Sequence, residues 1–181
     1  MGKKYTQKEL DDIYALHLLW LTGQGGAQAN FENADLSGLD FSHKCFNNTN
    51  FVGADCTGAN FYAANLFNTN FLGANLNNAD FRNAKIQESD FSFTTNHGTN
   101  YQNASFKNNS YKDSGVFFIE ADEWSGYSDG VFLWVGCVQN PLAKVQSDYL
   151  EIGRSLGYSD EKSERLMAAV NACIAAGHYV K

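Results

Sequence analysis

Carboxylates recur at regular intervals in this 181-residue chain. Asp35 and Asp55 stand twenty residues apart, Asp40 and Asp80 forty apart, and Glu32 joins them. A row of regularly spaced negative charge is the chemistry of a surface that takes a basic partner. Residues for other chemistry are scattered. His17, His43, His97 and His178 form no His-Glu-x-x-His pattern, and Cys45, Cys56, Cys137 and Cys173 have neither metal-ligand nor pairing spacing. Gly23, Gly25 and Gly26 lack the preceding strand and the lysine of a phosphate loop. An enzyme in the C-terminal part would have to use Asp122, Glu123 or His178, but an acid pair on a loop is ordinarily just solvated. The chain reads as no enzyme, with no cofactor and no metal.

The elements that position the carboxylates follow from a period of five. From Phe31 every fifth residue is Leu36, Phe41, Phe46, Phe51, Cys56, Phe61, Leu66, Phe71, Leu76, Phe81, Ile86, Phe91, Asn96, Tyr101, Phe106, Tyr111 and Val116. Only Asn96 interrupts the apolar series. Two residues before each centre the side chain is usually small, as at Ala29, Ala34, Ala54, Ala59, Ala64, Ala74, Ala79 and Ala84. Leu39 and Lys44 occupy small-residue positions, which predicts local distortion there. One residue before the centre, Asn or Asp dominates.

The segments "ANFEN ADLSG", "ADCTG ANFYA ANLFN" and "ANLNN ADFRN" resemble the pentapeptide-repeat family, with its Ala-(Asp/Asn)-Leu/Phe-X-X pattern. The resemblance implies a mainly β fold: a right-handed quadrilateral β-helix with four pentapeptides per coil, here about four and a half coils, stacked at about 4.8 Å. The residues support a period of twenty independently. One side then holds Phe31, Phe51, Phe71, Phe91 and Tyr111, and the opposite side Phe41, Phe61, Phe81 and Tyr101, so that two aromatic ladders run along the axis. The columns between them, Leu36/Cys56/Leu76/Asn96/Val116 and Phe46/Leu66/Ile86/Phe106, are smaller or mixed.

Repeat arrays need caps, because bare ends expose edges. Thr6-Gln7-Lys8-Glu9 is a capping box that opens a helix over Gln7–Leu21, with Leu10, Ile13, Tyr14, His17, Trp20 and Leu21 on one face. After Val116 the period ends. Val116 to Ile119 and Val131 to Val135 read as strands, Asp129-Gly130 as a hairpin turn, Pro141 as the start of a helix, and Ser159-Asp160-Glu161 as the start of a last helix ending near Gly177. The expected organisation is a capping helix over 1–26, the repeat coil over 27–116 and a small α+β domain over 117–181. Both flanks resemble those of phage and prophage pentapeptide-repeat proteins.

The net charge of −7 divides into zero for 1–26, −3 for 27–115 and −4 for 116–181. Such a balance speaks against direct nucleic-acid binding. No run of 18 apolar residues is present, and Asp11, Asp12 and His17 interrupt the N-terminal stretch, so neither a membrane span nor a signal peptide is expected and the reading is cytoplasmic. The resemblance implies that an acidic rod of this kind can mimic B-DNA. Its target would be a protein, either a DNA-handling enzyme such as a type II topoisomerase or a nucleic-acid-guided defence complex, which it inhibits in the manner of an anti-CRISPR. On that reading Asp35, Asp55, Asp40, Asp80 and Glu32 bind the partner. The alternative is an interaction scaffold or homodimer acting through the C-terminal domain and an apolar patch of Val52, Tyr62, Phe67 and Leu72.

Overall fold

Residues one before each centre pair in parallel with the residue twenty further on: Asn30 with Asn50, Asp35 with Asp55, Asp40 with Asn60, Cys45 with Asn65, and onward to Asp90 with Ser110. Four bridging positions in every twenty residues make a four-sided coil. The computed structural model describes residues 2–111 and 114, the backbone of four strands over 117–141, and residues 150, 154, 159–161, 163, 164 and 167. The chain divides into two compact units, Met1–Ser114 and Gly115–Lys181.

Each corner of the coil has the same local cause. Among the described residues, the second residue after each centre has positive φ, from Asn33 (54°) through Gly53 (64°) and Phe93 (58°) to Asn108 (54°). Glycine and asparagine tolerate that region best, and they fill most of these positions. The turn is closed by a bond from the next small residue to the centre, as in Ala54 N–H to Phe51 O at 3.0 Å. Leu39 and Lys44 close the same bond at 3.1 and 3.3 Å, so the expected distortion does not occur. They lie in the first coil, where no earlier coil crowds them, and both are only half-buried.

The core contains the centres and the small residues. Phe31, Phe41, Phe51, Phe61, Phe71, Phe81 and Phe91 are all buried, as is Cys56, while Cys45 is half-exposed. Both expected ladders form. Phe51 stacks on Phe71 at 4.6 Å and 5°, and Phe61 on Phe81 at 4.6 Å and 7°. Across the axis the two ladders meet edge to face, Phe51 to Phe61 at 83° and Phe61 to Phe71 at 86°. Offset stacking and edge-to-face contact are the two favoured aromatic geometries, and each inner ring makes both.

The fourth side departs from the others. Here the chain stays extended as β1 (Asn65–Phe67), β2 (Lys85–Gln87) and β3 (Ser105–Lys107), with Lys85 and Ser105 before the later two centres. At β1 the Phe67 N–H donates to Asn47 Oδ1 at 2.9 Å rather than to Asn65. These pair in parallel, with Leu66 beside Ile86 and Ile86 beside Phe106. Side chains replace the missing turn bond: the Ser89 hydroxyl donates to Leu66 O at 2.8 Å, and the Asn109 amide to Ile86 O at 3.0 Å.

Helix α1 (Gln7–Leu21) carries the expected capping box, with Thr6 and Glu9 bonded reciprocally. Inside the coil, the N–H before each centre donates back to the preceding coil, as Asp55 does to Ala34 O at 2.8 Å. The first coil has no predecessor, and the N-terminal segment supplies substitutes. Asp35 N–H donates to Lys3 O at 2.9 Å, Asp40 N–H to Gln7 Oε1 at 2.8 Å and Cys45 N–H to the Tyr14 hydroxyl at 3.2 Å. The edge is closed side by side.

In the second unit β4 (Phe117–Ala121), β5 (Trp124–Ser128), β6 (Phe132–Val135) and β7 (Val138–Pro141) form an antiparallel sheet in sequence order. Two of these strands match the sequence expectation, and β5 and β7 add to it. Pro141 ends β7 where a helix start was expected. An edge strand tolerates a proline because its outer N–H has no ladder partner to lose. The Asp129-Gly130 turn and most of the helix expected from Ser159 lie outside the described residues, although residues 160, 161, 163, 164 and 167 are helical.

Candidate interaction surface of the coil

The Asn or Asp before each centre does a structural job first. Its side-chain oxygen accepts from the N–H two residues on: Asp35 from Ser37 at 3.1 Å, Asp40 from Ser42 at 2.9 Å, Asp55 from Thr57 at 3.0 Å and Asp80 from Arg82 at 2.9 Å. Asn50, Asn60, Asn70, Asn75 and Asn100 make the same bond. This Asx turn asks only for a carbonyl-type oxygen, so Asp and Asn serve it equally. The charge at such a position is independent of the turn.

Electrostatically the acidic positions divide. Asp35 faces Lys4 at 3.6 Å, and Asp80 is clamped by Arg82 through two guanidinium nitrogens, the shorter contact 2.6 Å. Among the described residues Asp40 and Asp55 have no ion pair, and Glu32 accepts from the Asn50 amide at 3.4 Å. The Ser37 hydroxyl and N–H hold the Asp35 carboxyl below its ordinary pKa, with Lys4 adding to them. At Asp40 partial burial acts to raise the pKa, but the Ser42 N–H, Lys44 and the Asn60 amide outweigh it, and the result is a lowered value. Asp80 behaves likewise, burial being outweighed by Arg82. Asp35 and Asp55 bridge each other on the second side, and Asp40 and Asp80 both bridge Asn60 on the third.

The apolar residues expected to cluster on neighbouring sides lie on the third, fourth and first sides. Val52 and Leu72 stack in the first side's column and are half-buried. Tyr62, on the third side, lies against His43 at 5.3 Å and under Arg82 at 5.8 Å. Phe67 stands on the fourth side, 40% exposed. The sequence reading missed Phe93, 50% exposed at a positive-φ corner, and the outer face of α1, where Leu16, Leu18 and Leu19 are exposed. An unbroken apolar run at the end of α1 was the available signal for the latter.

Two buried polar groups, one inside the coil and one on α1, are accounted for by their partners. Asn96 replaces an apolar centre, donates to Thr94 Oγ1 at 2.7 Å and accepts from the Tyr101 hydroxyl at 2.6 Å. His17 is fully buried, stacked between Trp20 and Phe46. Burial drives the Cys56 thiol far above its ordinary pKa, which keeps it protonated and unreactive. Among the described residues no group of three His, Cys, Asp or Glu could hold a metal ion, and no helix is long and apolar enough to cross a membrane.

Residues 27–53 and 59–94 match the model of the pentapeptide repeats family in eight copies. All of the matched residues lie within the coil. Similar solved structures include the pentapeptide repeat protein Rfr23 from the cyanobacterium Cyanothece 51142, at 27% identity and a TM-score of 0.44 over 46% of this chain and 57% of that one. A pentapeptide repeat protein of the Arabidopsis thaliana thylakoid lumen is 30% identical, with a TM-score of 0.27 over 47% of this chain and 63% of its own. QnrB1, a plasmid-mediated fluoroquinolone resistance protein, is 19% identical, with a TM-score of 0.30 over 48% and 62%. The chain therefore spans less than two thirds of each of these structures. Comparison with curated proteins gives no match.

Proposed function

We propose that the coil is a non-catalytic protein-binding surface that blocks a DNA-handling enzyme or a nucleic-acid-guided defence complex, its second and third sides standing in for DNA phosphates. The observation that carries this reading is the fixing of Asp35, Asp40, Asp55 and Asp80 by their Asx turns. One carboxylate oxygen is held by the backbone, so the charge is placed before any partner arrives and little ordering entropy is lost on binding. The lowered pKa values of Asp35, Asp40 and Asp80 keep them ionised. A phage-encoded inhibitor acting in a bacterial cytoplasm fits this design.

The same turns supply the test. Asp40→Asn with Asp55→Asn removes two charges and retains both turns, so the coil should stay folded. A purified type II topoisomerase and a DNA-targeting, nucleic-acid-guided effector complex serve as probes. Wild-type protein is expected to inhibit one of them, more weakly at high salt, and the double variant to lose that inhibition. Arg82→Gln should strengthen it, because Asp80 is then uncompensated. Retention of full inhibition by the double variant would overturn the DNA-mimic reading.

A second reading rests on the exposed Phe67: a scaffold whose apolar positions, Val52, Tyr62, Phe67 and Leu72, bind protein, with the C-terminal unit contributing to a homodimer. It predicts that Phe67→Ala abolishes partner capture while the Asp→Asn double variant does not.

A further inference from the structure

The fourth side differs from the other three in charge as well as in backbone. Centres Leu66 and Ile86 point inward and are buried, so their neighbours along β1, β2 and β3 form the outer face: Asn65, Phe67, Lys85, Gln87, Ser105 and Lys107. Phe67, Lys85 and Lys107 are exposed. The other described cations of the coil are answered, Lys44 by Asp11 at 3.5 Å and Arg82 by Asp80. Among the described residues Lys85 and Lys107 have no ion pair. The nearest anion in sequence is Glu88, exposed at the corner just beyond β2. The side opposite carries Asp35 and Asp55. The coil is therefore bipolar across its width.

We propose that the outer face of β1–β3 docks an acidic, extended segment of a partner protein, with an apolar side chain on Phe67 and carboxylates on Lys85 and Lys107. Charge complementarity selects this occupant: in a chain of net charge −7, the unpaired coil lysines among the described residues stand on this one flat face. A nucleic acid would bring a long run of phosphates against the whole negative chain and the Asp columns of the adjoining side. A short peptide feels mainly the charges within a Debye length, about 8–10 Å at moderate salt. The backbone of the face is already paired, Lys85 N–H with Ala64 O and Ser105 N–H with Ala84 O, so recognition falls to side chains on a rigid base. This surface is separate from the acidic sides of the proposed function and stands or falls without them.

The experiment is an NMR titration of the full chain with a short peptide of alternating Glu and Leu. Shift changes are expected at residues 65–67, 85–87 and 105–107, with affinity falling as salt is raised. Lys85→Glu with Lys107→Glu should weaken binding by about tenfold or more while leaving the circular dichroism unchanged. Phe67→Ser should weaken it without altering the salt dependence. Binding unaffected by the charge reversal would overturn the proposal, as would shifts confined to the Asp sides or absent altogether. A short DNA single strand that binds more tightly than the peptide would replace the occupant with nucleic acid. Concentration-dependent self-association that buries this face in the free protein would replace it with a second copy.

Discussion

The Nδ1 atom of His17 accepts a hydrogen bond from the backbone N–H of Ala29 at 3.1 Å, in a fully buried contact between α1 and the start of the coil. An imidazole that accepts at Nδ1 carries its proton on Nε2, which reaches Thr49 Oγ1 at 3.4 Å. Protonating Nδ1 would set two N–H groups against each other.

Acid should therefore loosen the cap. Burial lowers the His17 pKa, and the Asn47 backbone carbonyl opposes it only in part. Above the unfolded value of about 6.5 both states are neutral and stability does not change with this group. As pH falls below about 6.5 the unfolded state takes the proton first and stability drops, until the folded pKa is passed. The carboxylates with lowered pKa, including Glu9 at about 2, lose their contribution only as pH falls below about 4, so the windows separate. Melting temperature between pH 8 and pH 5 checks this: wild type should decline and His17→Asn, which retains an acceptor without titrating, should be flat.

Asn96 and Tyr101 form a coupled pair. Tyr101→Phe leaves the Asn96 oxygen without its 2.6 Å donor and should cost about 1–3 kcal/mol. Asn96→Leu alone leaves the buried hydroxyl without its acceptor and should cost a similar amount. The double variant restores an apolar column and should recover most of the loss. A double-mutant cycle by urea denaturation measures the coupling.

The middle of the ladders is the most sensitive part of the core. Phe61 stacks against Phe41 and Phe81 and meets Phe51 and Phe71 edge-on. Phe61→Ala should cost about 3–5 kcal/mol, and Phe61→Leu distinctly less. Denaturant midpoints of the two variants give the comparison.

Corner residues make an opposite prediction. Ala63 sits at φ 53°, a conformation that costs an L-residue about 1–2 kcal/mol, so Ala63→Gly should raise the midpoint slightly despite the added chain entropy. Gly26→Ala should be destabilising beyond that scale. Its φ is 77°, and an added Cβ would run into the Leu16 carbonyl oxygen and the Trp20 backbone nitrogen.

Much of the coil was legible because each pentapeptide states its inward residue, its small residue and its turn. Both aromatic ladders and the bounds of α1 follow from residue type and spacing alone. Part of the extended fourth side is legible as well, since Lys85 and Ser105 cannot supply the Asx oxygen and Thr69 and Ser89 stand where alanine is usual, but Asn65 gives no such sign at β1. What could not be read was the neutralisation of Asp35 by Lys4, since nothing in the spacing links the N-terminal segment to the second side. The apolar positions follow the same count: outward positions near in number are a quarter turn apart in space, so Tyr62 and Phe67 stand on neighbouring sides. In the second unit Pro141 was read by its helix preference, when sheet-edge tolerance decided its place.

The twenty-residue coil turns the sequence number into a cylindrical coordinate. The remainder on division by twenty gives an angle around the axis, and the quotient gives a height along it. Removing twenty residues from the middle shortens the stack by one storey and leaves every later column facing as before. Removing five preserves the core register but rotates everything that follows by ninety degrees, bringing lysines to where carboxylates stood. The two deletions separate the length of this molecule from the direction in which it faces.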